Sequence, residues 1–119
     1  MKNTAARIEL EQGCELEEQE KFELAFEFYL KAAKHGSIEA QVNLAHFYDE
    51  GKGCEKDSQK AVYWYKRAYK LGCPQGAYNL GIHYRQEGKQ RWAKYWFERA
   101  VDMGYEDARI EIEKLILQS

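Results

Sequence analysis

Residues 61–72 read AVYWYKRAYKLG, and two further segments of the chain follow the same pattern. Residues 25–36 read AFEFYLKAAKHG, and residues 93–104 read AKYWFERAVDMG. Each copy has an alanine, two adjacent aromatic residues, a second alanine and a closing glycine, and the copies begin 36 and then 32 residues apart. Such a period is typical of helical solenoids, in which each helix pair buries its apolar face by stacking on its neighbours. The pattern therefore predicts an all-α repeat fold.

The spacing inside each copy predicts an amphipathic helix. Ala25, Phe28, Tyr29 and Ala32 lie at positions i, i+3, i+4 and i+7, which share one helical face. The glycine that closes each copy suits the left-handed position just beyond a helix. The pair Asp57–Ser58 precedes the second copy, where an N-capping side chain is expected.

A second pattern, between the copies, predicts the partner helices. Residues 40–48 match residues 76–84, with a small residue, a leucine, another small residue and a tyrosine at equal intervals. The second small residue, at positions 45 and 81, would let the two helices of a pair approach closely. Together the two patterns predict helices near residues 4–19, 21–35, 38–50, 57–71, 74–87, 89–103 and 105–117.

The predicted architecture is a right-handed α-α superhelix, or solenoid, in a single domain of 119 residues. It has three helix-turn-helix repeats near residues 5–36, 37–72 and 73–104, and a capping helix at 105–117. Because three repeats are close to the minimum for a stable solenoid, we expect a monomer or a weak homodimer.

Composition excludes several classes of protein. The net charge of −2 argues against a nucleic-acid binder, which needs a concentrated basic footprint. No run approaches the length of a membrane span or a signal peptide, and three cysteines without paired spacing fit a reducing compartment. We therefore expect a cytoplasmic protein.

The charges are unevenly distributed along the chain. Residues 1–58 carry 7 basic and 13 acidic side chains, a net −6, whereas residues 59–119 carry 11 and 7, a net +4. This polarity would steer a partner or favour head-to-tail association. The alternative is a solvated acidic first helix with no role in binding.

No catalytic, cofactor or metal site is predicted. His35, His46 and His83 lack metal-ligand spacing, and we interpret each as an ordinary surface histidine. The segment Gly51–Gly53 lacks the spacing of a phosphate loop. No nucleophile, base and orienting group can be assembled, so hydrolysis by a groove histidine is the least favoured function.

The sequence resembles a known family at one set of positions. They are Leu44-Ala45, Tyr48, Gly51-Lys52-Gly53-Cys54, Asp57, Lys60-Ala61, Trp64-Tyr65, Ala68 and Gly72. This arrangement is similar to a Sel-one-like repeat, a branch of the tetratricopeptide superfamily, and the resemblance covers roughly residues 5–115. It implies a scaffold or adaptor without catalysis. The cysteines depart from the paired cysteines of secreted members, and Cys54 is expected to pack like a small aliphatic residue.

The resemblance also implies that the first helix of each pair lines a concave groove. The candidate partner-binding residues are Asn43, His46, Asp49, Glu50, Tyr78, Asn79, Ile82 and Arg85. Asn43 and Asn79 are equivalent, and each amide offers both a donor and an acceptor to an extended peptide. The alternative is that these asparagines support packing between repeats or face water.

The charge near the groove favours a partner with a basic segment. Glu17, Glu18, Asp49 and Glu50 lie towards one end, and Arg85 lies further along. The positions equivalent to the asparagines in the flanking helices are glutamates, which argues against capture of a terminal carboxylate.

Trp92 and Tyr95 fall outside the repeated frame, since the position of Trp92 is a lysine in the middle repeat. If exposed, they would form a second, convex interface, because Trp and Tyr dominate binding hot spots. The preferred alternative is that Trp92 closes over the short loop at Gly88.

The leading function is an intracellular adaptor or regulatory scaffold that binds a protein or peptide. The second is an immunity-type partner that neutralises one toxin or enzyme.

Overall fold

A computed structural model describes residues 2–118, with side chains from residue 4 onward. Over that range it is all-α, without strands, and belongs to the helical-repeat, solenoid class predicted above. The helices are α1 (Lys2–Glu18), α2 (Phe22–Lys34), α3 (Ile38–Glu50), α4 (Ser58–Lys70), α5 (Pro74–Gln86), α6 (Gln90–Asp102) and α7 (Ala108–Gln118). Within residues 2–118, no helix is both long enough and apolar enough to cross a membrane.

The helices are grouped in two compact units, Met1–Trp64 and Tyr65–Ser119. In the first unit α1 packs on α2 and α2 packs on α3; in the second α5 packs on α6 and α6 on α7. Helix α4 contributes its first half to one unit and its second half to the other.

The closing glycines end the three repeated helices in the same way. Gly36, Gly72 and Gly104 have φ values of +99°, +97° and +97°. In every case the N–H of the following residue donates to the carbonyl oxygen of the pattern's second alanine at 3.0 Å. These bonds satisfy carbonyl groups that the helix end leaves unpaired. The repeated alanine and glycine thus form one C-terminal cap, used three times.

Small residues on the first helix of a pair admit an aromatic ring from the second. A Cβ atom built at Gly81 would lie 2.5 Å from the ring of Phe97, and one built at Gly13 would lie 2.7 Å from the ring of Tyr29. Since real Cβ contacts are not this short, glycine is required at both positions. The predicted close approach at position 81 is confirmed.

Five of the six aromatic residues of the repeated frame are buried in the core. Tyr29, Tyr65 and Phe97 are at most 1% exposed, and the two tryptophans of the frame are at most 9% exposed. Phe28 differs: it is only half-buried, with the Lys31 ammonium 5.1 Å from its ring centre.

The predicted helix boundaries are close to the observed ones, with one exception. Helix α7 begins at Ala108 rather than 105, because residues 105–107 form a turn in which the Ala108 N–H donates to the Tyr105 carbonyl at 3.2 Å. The predicted cap before α4 is confirmed, since Asp57 Oδ1 accepts a bond from the Lys60 N–H at 3.1 Å.

Candidate functional site

The exposed side of α3 carries a small cleft, here called the α3 cleft, of about 190 Å³. Three predicted site residues, Asn43, His46 and Glu50, line it, whereas Asp49 is not part of the lining. The full lining is Glu17, Asn43, His46, Phe47, Glu50 and Lys52. About two turns of α3 bring the three predicted residues to one side, because positions i, i+3 and i+7 share a helical face.

Glu17 joins three segments at the edge of this cleft. The Tyr29 hydroxyl donates to its Oε1 at 2.6 Å, and the Lys52 ammonium donates to its Oε2 at 3.1 Å. Burial alone would raise the pKa of Glu17, but these two hydrogen bonds and the charge of Lys52 lower it overall. Glu17 is therefore an ionised link between α1, α2 and the loop after α3.

His46 is half-buried, so its interpretation as an ordinary surface histidine is wrong. Burial lowers the pKa of the His46 ring. The carboxylates of Glu50, Asp49 and Glu17 favour the charged form but do not offset burial. At neutral pH the cleft therefore presents an uncharged imidazole between carboxylates.

Asn43 lies in the middle of the α3 cleft, half-buried. Among residues 4–118 its amide has no hydrogen-bond partner, and the same holds for Asn79 of α5. Both amides are accessible to solvent. Among the described residues, the fully buried side-chain atom without a hydrogen-bond partner belongs to another residue, Gln41 (its Oε1). These two amides are free to bond to another molecule.

The corresponding side of α5 is built differently. The ring of Tyr78 lies 5.6 Å from that of Phe97 and 5.0 Å from that of Tyr105. Burial, followed by the nearby Glu111 carboxylate, raises the pKa of the Tyr78 hydroxyl, which stays protonated. With half-buried Ile82, this side of α5 offers a mixed aromatic and aliphatic surface.

Arg85, which the sequence placed in the groove as a cation, is already paired. Its Nη1 lies 2.6 Å from Glu111 Oε2, and its guanidinium lies 5.5 Å from the Phe97 ring centre. Burial would raise the pKa of Glu111, but Arg85 and then Lys114 lower it overall. Arg85 therefore adds little free positive charge to this surface.

His83 was predicted to be a surface histidine, and this prediction is wrong. It is 4% exposed, and its Nε2 lies 3.2 Å from Glu87 Oε2. The signal was available, because position 83 corresponds to Phe47 one repeat earlier, and Phe47 is 2% exposed. His35, by contrast, is exposed, and its Nδ1 lies 2.5 Å from Glu9 Oε1.

Trp92 is 57% exposed and Tyr95 is 40% exposed. Both line a larger cleft, here called the Trp92 cleft, that also includes Gly88. Trp92 thus lies beside the Gly88 loop without being buried by it, and the structure favours the exposed alternative.

Within residues 4–118, no group of three or more His, Cys, Asp or Glu side chains could hold a metal ion.

Comparison with known proteins places these features in a family. The model of the Sel1 repeat matches residues 18–37, 38–73 and 74–105. The sel1-like repeat-containing protein L21 of Acanthamoeba polyphaga mimivirus is 33% identical over 73 residues, covering 61% of this chain and 14% of that protein. The chitin synthase regulator SKT5 of Saccharomyces cerevisiae is 40% identical over 59 residues, covering 50% of this chain and 8% of that protein.

Solved structures agree with the sequence relatives. The crystal structure of a Sel1 repeat protein from Oxalobacter formigenes superposes with a TM-score of 0.63 at 33% identity, covering 76% of this chain and 39% of that one. The chain therefore spans a small part of the curated relatives and less than half of this solved one.

Proposed function

This chain belongs to the Sel1 repeat family, whose members generally mediate protein–protein interaction, and we propose that it is an adaptor that holds a partner protein or peptide on the exposed sides of α3 and α5. Each of the two compact units offers one such surface. Members of the family are generally not enzymes. A regulatory role is supported by SKT5, which is named a regulator of chitin synthase.

The observation that carries the proposal is the pair of free amides at Asn43 and Asn79. They occupy equivalent positions, 36 residues apart, on the first helices of successive repeats. Since neither amide bonds to any of residues 4–118, both retain a donor and an acceptor for a peptide backbone.

The charge of these surfaces favours a partner with a basic segment. The α3 cleft contains two carboxylates, and Lys52 is engaged by one of them, Glu17. His46 is uncharged at neutral pH, and Arg85 is neutralised by Glu111. Glu50 is therefore left to attract lysine or arginine side chains of a partner.

We place this interaction in the cytoplasm, in keeping with the state of the cysteines. Cys14, Cys54 and Cys73 are all free thiols. Cys54 packs much as expected: its Sγ lies 3.5 Å from the Phe47 carbonyl oxygen, and burial, with a smaller contribution from Asp57, raises the pKa of its thiol. Unpaired thiols of this kind persist in reducing compartments.

The test is an affinity capture from lysate of the source cells with three forms of the chain. The wild type is compared with the Asn43→Ala/Asn79→Ala double variant, and Trp92→Ala serves as the surface control. We expect a partner that the wild type and Trp92→Ala retain and that the double variant loses, with unchanged thermal unfolding in all three.

A partner retained by the double variant would overturn the proposal. The strength and form of binding separate the two candidate roles. Adaptors bind linear segments with moderate affinity, so a folded partner held at nanomolar strength through other residues would favour the immunity-type function instead.

A further inference from the structure

A second surface, chemically unlike the first, lies around the turn between α5 and α6. The Trp92 cleft has a volume of about 650 Å³. Its lining residues are Gly88, Lys89, Gln90, Arg91, Trp92 and Tyr95. Ligand pockets in proteins span roughly 300 to 1,000 Å³, so the cleft has room for a few residues of an extended segment.

Two aromatic rings form a corner of this cleft. The rings of Trp92 and Tyr95 meet at 78°, with centres 6.0 Å apart. Each also contacts a further ring: the ring of Tyr84 lies 6.4 Å from that of Trp92, and the ring of buried Trp96 lies 5.1 Å from that of Tyr95. Because these contacts hold the rings in place, a ligand would lose little side-chain entropy on ordering them.

Positively charged side chains line the cleft beside the aromatic corner. Lys89 and Arg91 line the cleft, and none of the six lining residues is acidic. Arg91 has no carboxylate partner among residues 4–118, and neither does exposed Lys94 of the same helix. Lys89 is shared with Glu87, at 3.4 Å. At the cleft, Arg91 is therefore fully available to a ligand, and Lys89 is available in part.

We propose that the Trp92 cleft binds an acidic linear peptide segment whose apolar anchor residue enters between the rings of Trp92 and Tyr95. Carboxylates of the segment meet Arg91 and Lys89, the two cations that line the cleft. This goes beyond the proposed function, since the surface prefers the opposite charge from the α3 cleft. The aromatic corner supplies apolar burial, and the cations supply specificity for acidic sequences.

The charge pattern of α6 favours a peptide over a nucleic acid. Glu98 and Asp102 lie further along the same helix, and Arg99 is occupied by Asp102 at 2.7 Å. An extended phosphate backbone would meet these carboxylates beyond the cleft. Strand-binding proteins instead follow the backbone with a continuous positive groove.

The fluorescence of Trp92 can report binding at this site. Trp64 and Trp96 are 9% and 8% exposed, whereas Trp92 is 57% exposed. A ligand that covers the cleft should therefore change the emission of one tryptophan, and Trp92→Phe should abolish that change. Binding elsewhere would leave the emission as it is.

The experiment selects a displayed library of random twelve-residue peptides on the wild-type chain and on Trp92→Ala. We expect the peptides that depend on Trp92 to carry net negative charge, and to shift the emission when titrated as synthetic peptides. Arg91→Glu, which keeps both rings, should weaken their binding by about tenfold or more, as expected when a contacting charge is reversed. Asn43→Ala/Asn79→Ala should bind them as the wild type does.

Several results would overturn the assignment. These are a selection without Trp92-dependent peptides, a consensus that is neutral or basic, or binding that is indifferent to Arg91→Glu. Twelve-residue oligothymidylate binding with the same variant dependence would make the site a nucleic-acid site. Self-association that disappears in Trp92→Ala would make a second copy the occupant. Circular dichroism of each variant verifies the fold.

Discussion

Glu20 has a strained backbone conformation that glycine relieves at the equivalent position of another repeat. It is the non-glycine residue with positive φ within residues 2–118, at +61°. It lies in the turn between α1 and α2, and the equivalent position between α5 and α6 is Gly88, with φ of +77°. Left-handed backbone costs a residue with a Cβ atom about 1–2 kcal/mol, whereas glycine adopts it freely.

Glu20→Gly should therefore stabilise the protein. We expect the free energy of unfolding to rise by about 0.5–1 kcal/mol, since the greater flexibility of glycine in the unfolded chain offsets part of the relief. Urea denaturation measures it, and Gly88→Ala is the matched control, expected to change stability in the opposite direction. Loss of stability in Glu20→Gly would show that the turn is not strained.

Gln41 is the second residue with an unfavourable environment. It is 0% exposed; its Nε2 donates to the Ala33 carbonyl at 3.3 Å, while its Oε1 has no partner. A buried, unsatisfied acceptor costs about 1–3 kcal/mol. The Ala33 carbonyl would keep a second donor, the Gly36 N–H at 3.1 Å, without the glutamine.

Gln41→Met, a replacement of similar volume, should raise the free energy of unfolding by about 1 kcal/mol. Gln41→Ala is the control, because it removes the same oxygen but leaves a cavity, and we expect it to be destabilising. Thermal and urea unfolding of both variants measure the effect. A methionine variant less stable than the wild type would mean that the amide is satisfied in solution.

At the scale of the helices, most of the fold could be predicted from the sequence, because a particular residue type marks the end of each repeated helix. The Gly caps and the cap at Asp57 are local, so they can be read without tertiary information. The start of α7 was predicted three residues too early, because the turn at residues 105–107 was read as part of the helix. The burial of His83 was missed because polarity was given more weight than its repeat position.

The pairing of α5 with α6 depends on Gly81. Gly81→Val would drive a branched side chain into the ring of Phe97, which is 0% exposed. We expect a loss of about 2 kcal/mol or more, as is common when a packed core is overfilled. Gln86→Ala, at an exposed position of the same helix, should change stability by less than about 0.5 kcal/mol. Equal unfolding midpoints for the two variants would contradict the observed packing.

The link through Glu17 should make the first unit sensitive to acid. The pKa of Glu17 is below its usual 4.5 in the folded protein, so the unfolded chain takes up the proton first. The stabilisation is complete above pH 4.5 and is lost as the pH falls through the lowered pKa.

Glu17→Gln should be less stable at pH 7 and should lose less stability than the wild type as the pH drops below 4.5. Urea unfolding at a series of pH values measures both effects. Glu18→Gln, an exposed neighbour, should follow the wild-type curve. A Glu17→Gln curve parallel to that of the wild type would show that the bonds to Tyr29 and Lys52 do not form in solution.

For the whole molecule, the sequence predicted the class of function better than it predicted the environment of each candidate binding residue. Helical periodicity placed Asn43 and Asn79 at equivalent positions of α3 and α5, where both are half-buried and neither amide bonds to any of residues 4–118. It could not reveal that Arg85 is occupied, because Glu111 lies 26 residues away and is brought near only by the packing of α5, α6 and α7. Nor could it decide the exposure of Trp92. Such side-chain pairings depend on tertiary contacts that a repeat pattern does not encode.

Two surfaces of this small protein are expected to bind segments of opposite charge: a basic segment at the α3 and α5 surfaces and an acidic one at the Trp92 cleft. The overall net charge of −2 would not suggest this, since it is the sum of −6 for residues 1–58 and +4 for residues 59–119. Binding at both surfaces should weaken as salt is added, because exposed charges are screened over about 10 Å at 0.1 M salt.

The most direct test of the central claim is amide hydrogen exchange of the chain, read by mass spectrometry, with and without the partner that affinity capture recovers. We expect slower exchange on binding in residues 38–50 and 74–86, the first helices that carry Asn43 and Asn79. Residues 22–34, on the second helix of their pair, should exchange as in the free protein. Protection confined to residues 22–34 or 90–102, with α3 and α5 unchanged, would contradict the claim that this chain binds its partner through its first helices.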